Sequence, residues 1–289
     1  MKSIREILPA PVMMIDVVDI GANPIGEEPP YRHLLEAAAA RVVGFEPNPQ
    51  ALAELEKRKG LHETYLPHAI GDGNEHTLHL CKWSGMTSIL RPNADLLKRF
   101  HGFAQWGEVV GTMQVQTRRL DDVEAIANVD LLKIDVQGYE LEIFRHATKR
   151  LADTLVVHAE TNFLPMYENQ PLFSEVEQFL RAQGFWFHRF APLVSRVLSP
   201  MRINKDPYAG LSQVFWADSV FVRDFTRFDS LPAEKLLKLA LILHDIYGSF
   251  DVALQALLSY DRATGQNETD GLGEKYLRWL GAKDSRDPA

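Results

Sequence analysis

One cysteine, Cys81, stands alone among 289 residues. That excludes an intrachain disulfide and any cysteine-built zinc or iron–sulfur site, and it suits a reducing compartment. Long apolar runs are equally scarce: the two strongest, 13–20 and 236–246, are short and broken by Asp16, Asp19, Lys238 and His244. A membrane-spanning helix needs roughly 20 consecutive apolar residues. Positive charge is in deficit, with 31 Lys plus Arg against 39 Asp plus Glu and a net charge of −8. Such a field repels nucleic acid and anionic membrane alike, so neither is an expected partner. Gly (18) and Pro (16) are neither abundant nor periodic, which removes collagen-like and low-complexity classes. Residues 1–9 mix Lys2 and Arg5 with Glu6 and have no sustained apolar core, so they do not read as a signal peptide. What is present is an ordinary globular composition, 46% hydrophobic, long enough for a main domain with an appendage and expected in the cytoplasm.

Short β-branched runs alternate with longer amphipathic stretches, the pattern of strand–helix–strand units around a mostly parallel sheet. Strands are expected at 13–20, 41–45, 64–70, 130–134 and 155–159, and helices at 49–59, 139–151 and 172–183. Between the third strand and Asp130 an alternating 76–81 segment and a helix near 93–100 suggest a hairpin plus a cap. Strands at 186–190 and 215–222 are joined by a Pro- and Gly-containing stretch with no crossover helix, so they are expected to pair antiparallel at the end of the sheet. The fold class is therefore α/β and doubly wound. From residue 231 only helical patterns remain, at 232–247, 251–260 and 273–280. This divides the chain into 1–230 and a small helical appendage, 231–289, that serves packing or homo-oligomer formation.

The chemistry collects at the ends of the expected strands. Val18-Asp19-Ile20-Gly21-Ala22-Asn23 is an apolar strand entering an acidic residue and a small-residue turn, where backbone can approach a ligand closely. Gly26 is followed by Glu27 and Glu28, not Lys and Ser or Thr, which disfavours a triphosphate loop. Glu46 ends the second strand about where a ribose-binding acid belongs in such folds. Asp135 ends the strand before a Gly138 turn, and Glu160 and Asn162 end the next, so neighbouring strand ends converge on one rim. Period-two alternation makes His158 either a base or a hydrogen-bonded core residue.

Taken in order, these segments resemble the FkbM-type methyltransferases, which use S-adenosylmethionine. The matching pieces are V-D-I-G-A-N at 18–23, F-E-P-N at 45–48, A-I-G-D-G at 69–73, Thr87-Ser88, R-L-D-D at 119–122, L-K-I-D-V-Q-G-Y-E at 132–140, and the 164–184 stretch containing Tyr167-Glu168-Asn169-Gln170. The resemblance covers about 12–222 and implies a seven-stranded sheet with a reversed final strand. It also implies that Asp19, Gly21, Ala22 and Asn23 form the loop beside the methionine part of the cofactor, that Glu46 accepts the ribose hydroxyls, and that Ile70 to Asp72 border the adenine. Asp135 would face the methionine amino group or the acceptor. Family members usually run from the second glycine directly into a helix; here Glu27-Glu28-Pro29-Pro30 intervene, and the helix is expected to begin near Tyr31.

The resemblance implies O-methylation of a sugar, glycan or polyketide-type hydroxyl, with small-molecule or glycan acceptors as partners. Glu160, His158 and Asp135 are the sequence's bases for the acceptor proton. No metal is assigned, although Asp135, Glu160 and Asn162 are the residues that would gather a divalent cation such as Mg²⁺. Two rival classes are an NAD-dependent oxidoreductase, whose G-x-G-x-x-G turn the chain lacks, and a non-catalytic methyltransferase-like binding module.

Overall fold

A computed structural model describes residues 2–10, 14–23, 28–267 and 269–281. Strand β1 (Ile15–Ile20) is buried at every position, as a strand covered on both faces must be. The remaining strands are β2 (Ala40–Phe45), β3 (Glu63–Leu66), β4 (Ala69–Ile70), β5 (Glu75–Cys81), β6 (Val109–Arg118), β7 (Leu131–Ile134), β8 (Val156–Asn162), β9 (Phe185–Ser195) and β10 (Val214–Arg223). Seven form the main sheet in the order β3-β2-β1-β7-β8-β10-β9, and β4-β6-β5 form a small second sheet. The main sheet is parallel except for β10, which lies antiparallel between β8 and β9. This is the reversed final strand anticipated from the missing crossover helix.

The helices are α1 (Arg32–Glu36), α2 (Pro49–Arg58), α3 (Ala94–Leu97), α4 (Phe103–Trp106), α5 (Glu140–Arg145), α6 (Thr148–Asp153), α7 (Phe173–Ala182), α8 (Ala233–Leu241), α9 (Phe250–Thr264) and α10 (Leu272–Leu280). On one side of the sheet Ile15, Val17, Leu131, Val156 and Val220 pack with Leu34 of α1, Leu236 and Leu239 of α8, Leu257 of α9 and Tyr276 of α10. Alternate residues of the same strands, Val18, Ile20, Leu132, Ile134, Val157 and Phe221, pack on the other side with Leu141 and Phe144 of α5, Leu151 of α6 and Val176 and Leu180 of α7. A third cluster, including Met86, Leu97, Phe100, Phe103, Tyr167 and Phe215, forms the cap. The C-terminal helices thus bury their apolar stripes against the main sheet. No helix among the described residues is long and apolar enough to cross a membrane.

Three expected elements differ in detail. The 64–70 strand is two, because Pro67 has no N–H for a ladder: β3 pairs with β2 and β4 with β6. The 139–151 helix breaks between α5 and α6, where the Asp121 carboxylate accepts the N–H groups of Lys149 and Arg150 and so caps a second helix start. The 232–247 helix leaves α-geometry at Ile242 for a π-helical turn, Ile242–Ile246.

Candidate active site

The chain runs outward from β1 to β3 and returns to β7 on the opposite side of β1, so a crevice opens at the carboxyl ends of β1 and β7. Its floor is tightly drawn together. Gly21 has φ +80°, and a Cβ there would stand 2.0 Å from the Asp135 carbonyl oxygen, so only glycine allows this close approach. The N–H groups of Gly21 and Ala22 both donate to the Phe45 carbonyl, at 3.0 and 3.1 Å, tying the β1 loop to the end of β2. Asn23 follows, partly buried; residues 24–27, where the sequence departs from the family pattern, lie outside the described residues. Helix α1 begins after Tyr31, where the sequence placed it, and the Tyr31 hydroxyl donates to Asp19 Oδ2. Lys133 donates to Asp19 Oδ1 at 3.1 Å. Burial works against the Lys133 charge, but Asp19, Asp135 and Asp218 outweigh it and raise its pKa. Both oxygens of Asp19 are therefore engaged by the protein itself.

Glu46 is buried at the end of β2, where its Oε1 accepts the Asn48 N–H at 2.8 Å. Burial, aided by the nearby Asp19, raises its pKa against the effect of the Asn48 hydrogen bond. Asn48 in turn caps α2 through Gln50 and Ala51, so helix start and acid are fixed together. Ile70 is core. Asp72, in the turn after β4, accepts hydrogen bonds from Asn74, His76 and Thr117. Burial opposes its charge, but these donors hold its pKa well below the usual carboxylate range.

Across the crevice Asp135, Glu140 and Glu160 bring carboxylate oxygens within 4.8 Å of one another. Gln137 lies between two of them: its Nε2 donates to Asp135 Oδ1 at 2.8 Å and to Glu160 Oε2 at 3.0 Å. Glu140 Oε1 accepts the N–H groups of Val136 and Gly138 at 2.9 and 3.2 Å, closing the turn before α5. Burial drives the Glu160 pKa well above the carboxylate range, and Asp135, Glu140 and Asp218 push it further. Asn162 is 2% exposed and its Oδ1 has no partner among the described residues, and Glu140 is a third carboxylate beside Asp135 and Glu160. His158 lies one step deeper in the pleat, with Nδ1 3.1 Å from the Tyr247 hydroxyl and Nε2 3.4 Å from Asp218.

Residues 19–187 match the profile of the methyltransferase FkbM domain. This chain belongs to the FkbM methyltransferase family. It is also 28% identical over 188 residues to the 2-O-methyltransferase NoeI of Sinorhizobium fredii, an alignment covering 57% of this chain and 74% of that protein. Among solved structures, a putative methyltransferase from Thermoplasma acidophilum aligns with a TM-score of 0.35 at 10% identity, over 73% of this chain and 69% of that one. LepI in complex with SAM aligns with a TM-score of 0.34 at 11% identity, over 76% and 46%.

For an FkbM methyltransferase, the donor set at the crevice is suited to S-adenosylmethionine: a buried acid at the end of the strand next to β1 is placed to accept from a ribose diol. Glu46 stands at that position directly after β2, while Asp135 follows β7 and Glu160 lies in β8 on the other side of β1. Sequence reading missed Gln137, Glu140 and Tyr167 as members of the site. Gln137 carried one signal, its place between Asp135 and Gly138 in a turn after a strand end; in the structure it has φ +60°. Tyr167 carried none, because it reaches the site only through the packing of the cap.

Proposed function

We propose that the protein transfers the methyl group of S-adenosylmethionine to a hydroxyl of a sugar, glycan or polyketide-type acceptor. The observation that carries this reading is the Asp135–Glu160 carboxyl pair at the crevice, bridged by the Gln137 amide. The cofactor supplies an electrophilic methyl carbon. The acceptor oxygen bonds to that carbon as the carbon–sulfur bond breaks, and the hydroxyl proton must go to a base as the ether forms. Glu160 takes it, with Asp135 alongside; His158, held between Tyr247 and Asp218, supports the sheet beneath. Glu46 accepts the ribose hydroxyls, and the Gly21 turn lets backbone approach the cofactor. Much of the rate then comes from holding acceptor and methyl in line. O-methylation is favoured by the likeness to a 2-O-methyltransferase, and the lone, buried Cys81 favours a reducing, cytoplasmic setting.

A divalent cation is the second reading, since three carboxylates converge. The hydrogen bonds oppose it: the Gln137 amide already donates to both Asp135 and Glu160, and two backbone N–H groups donate to Glu140 Oε1.

Calorimetric titration with S-adenosylmethionine and S-adenosylhomocysteine, followed by labelled methyl transfer into a panel of oligosaccharides, tests the proposal. Glu46→Ala is expected to weaken cofactor binding about 10- to 100-fold, the worth of hydrogen bonds to a charged group. Glu160→Gln should leave binding intact and lower kcat about 10²- to 10⁴-fold. Because the Glu160 pKa is raised, the wild-type rate should climb with pH along a limb above the ordinary carboxylate range. Full activity in EDTA is expected. Absence of cofactor binding, or binding with no label transfer to any hydroxyl, would leave a binding module in its place.

A further inference from the structure

We infer that Gln137 is the positioning residue of the reaction: its side-chain amide, set in one orientation by Tyr167, fixes the Asp135 and Glu160 carboxyl groups against each other. The inference rests on the reading that this pair receives the acceptor proton.

Gln137 is held from three sides. Its backbone takes the left-handed conformation, φ +60°. The Ser88 hydroxyl donates to its carbonyl oxygen at 2.7 Å, and Ser88 is 1% exposed. The Tyr167 hydroxyl donates to its Oε1 at 2.9 Å. This last contact selects between two arrangements of nearly equal shape. A primary amide turned by half a revolution exchanges a two-proton donor for an acceptor of the same size. Turned the wrong way, Gln137 would point an oxygen at two carboxyl groups and its NH₂ at Tyr167.

The phenol favours the first arrangement, in which it donates over the shorter distance, 2.9 Å to Oε1 against 3.3 Å to the Met86 carbonyl. Burial, with Glu160 foremost among the neighbouring charges, keeps the Tyr167 pKa far above its ordinary value, so its single proton is always available to donate. With Oε1 so occupied, both amide protons face the carboxyl groups. Donation to both oxygens favours the ionised state and keeps the pair from rotating apart. Lys133 of β7 acts on Asp135, Asp218 of β10 on Glu160 and Glu140 of α5 on both, with Cys81 near Tyr167. None of these bridges Asp135 and Glu160 by hydrogen bonds to both.

Ser88 and Tyr167 both lie outside the strand-end loops, in the cap region that begins after β5 and in the segment preceding α7. Gln137 therefore links the cap to the base.

Infrared titration of the purified full chain, read at the protonated-carboxyl band, tests the inference without an acceptor, with the Glu160→Gln difference spectrum assigning the band. Tyr167→Phe and Gln137→Glu are expected to raise the midpoint of the pair, the second by about one pH unit or more, a tenfold rise in proton affinity. Ser88→Ala should raise it less. Circular dichroism shows which variants fold, and if Gln137→Glu does not, Tyr167→Phe decides alone. A folded Tyr167→Phe with the wild-type midpoint overturns the inference. Full methyl transfer by Glu160→Gln would instead overturn the assignment of the base, whatever the titration of Gln137 variants shows.

Discussion

Glu140 is 4% exposed and keeps its carboxyl group near two other acids, yet it receives two backbone N–H groups. Burial, with Asp135 adding to it, lifts its pKa from 4.5 to about 7, and the N–H donors moderate the rise. A raised pKa means that the folded chain holds a proton the unfolded chain has released. The resulting stability is complete below pH 4.5 and is lost as pH climbs through about 7. Glu140→Gln keeps an acceptor for Val136 and Gly138 and removes the titration. Urea unfolding of the two proteins between pH 5 and 8 should show the variant gaining on the wild type by up to about 3 kcal/mol, at 1.36 kcal/mol per pKa unit. At this scale the sequence disclosed Glu46 and Asp135 directly after their strands, because an acid after a β-branched run needs only local pattern, whereas Glu160, expected just past a strand end, lies within β8 opposite Asp218. It did not disclose partners. Asp19 reads as a ligand-facing acid, but Tyr31 and Lys133 occupy it, and no spacing rule brings residues 19, 31 and 133 together.

Among elements, the clearest non-local bond is the one that fixes α8 beneath the sheet. Lys238 Nζ lies 2.7 Å from Asp130 Oδ2 and 3.2 Å from Asp16 Oδ2, with Lys238 6% exposed and Asp130 fully buried. Asp130 also receives the Asp16 N–H and Lys235 Nζ, so the start of β1, the approach to β7 and α8 share one polar knot. Removing Lys238 leaves Asp16 with Arg41 and Asp130 with Lys235, but takes from both buried carboxylates the cation they share. Lys238→Ala should therefore cost about 1–3 kcal/mol in chemical denaturation, the worth of hydrogen bonds to charged groups. The strands and the antiparallel end were legible because period and loop composition are local signals. The split of 64–70 between two sheets and the break after α5 were not, since Asp121 acts on α6 from 28 residues away.

The whole molecule depends on a cover that the sequence presents as an addition. Residues 231–281 carry α8, α9 and α10, and these shield Ile15, Val17, Leu131 and Val156 from water. A chain ending at residue 230 is expected to be insoluble or to bind a hydrophobic dye strongly, because a sheet face of this kind is an aggregation surface when bare. Expression yield and dye fluorescence check this. The order of synthesis gives the same packing a temporal meaning. Every strand of the main sheet leaves the ribosome before α8 does, yet one of its faces is covered by α1 and by three helices that come last. Until α8 to α10 emerge, the apolar residues they cover lack these partners, and slowing translation after β10 should increase the chain's demand for chaperones that hold exposed hydrophobic faces.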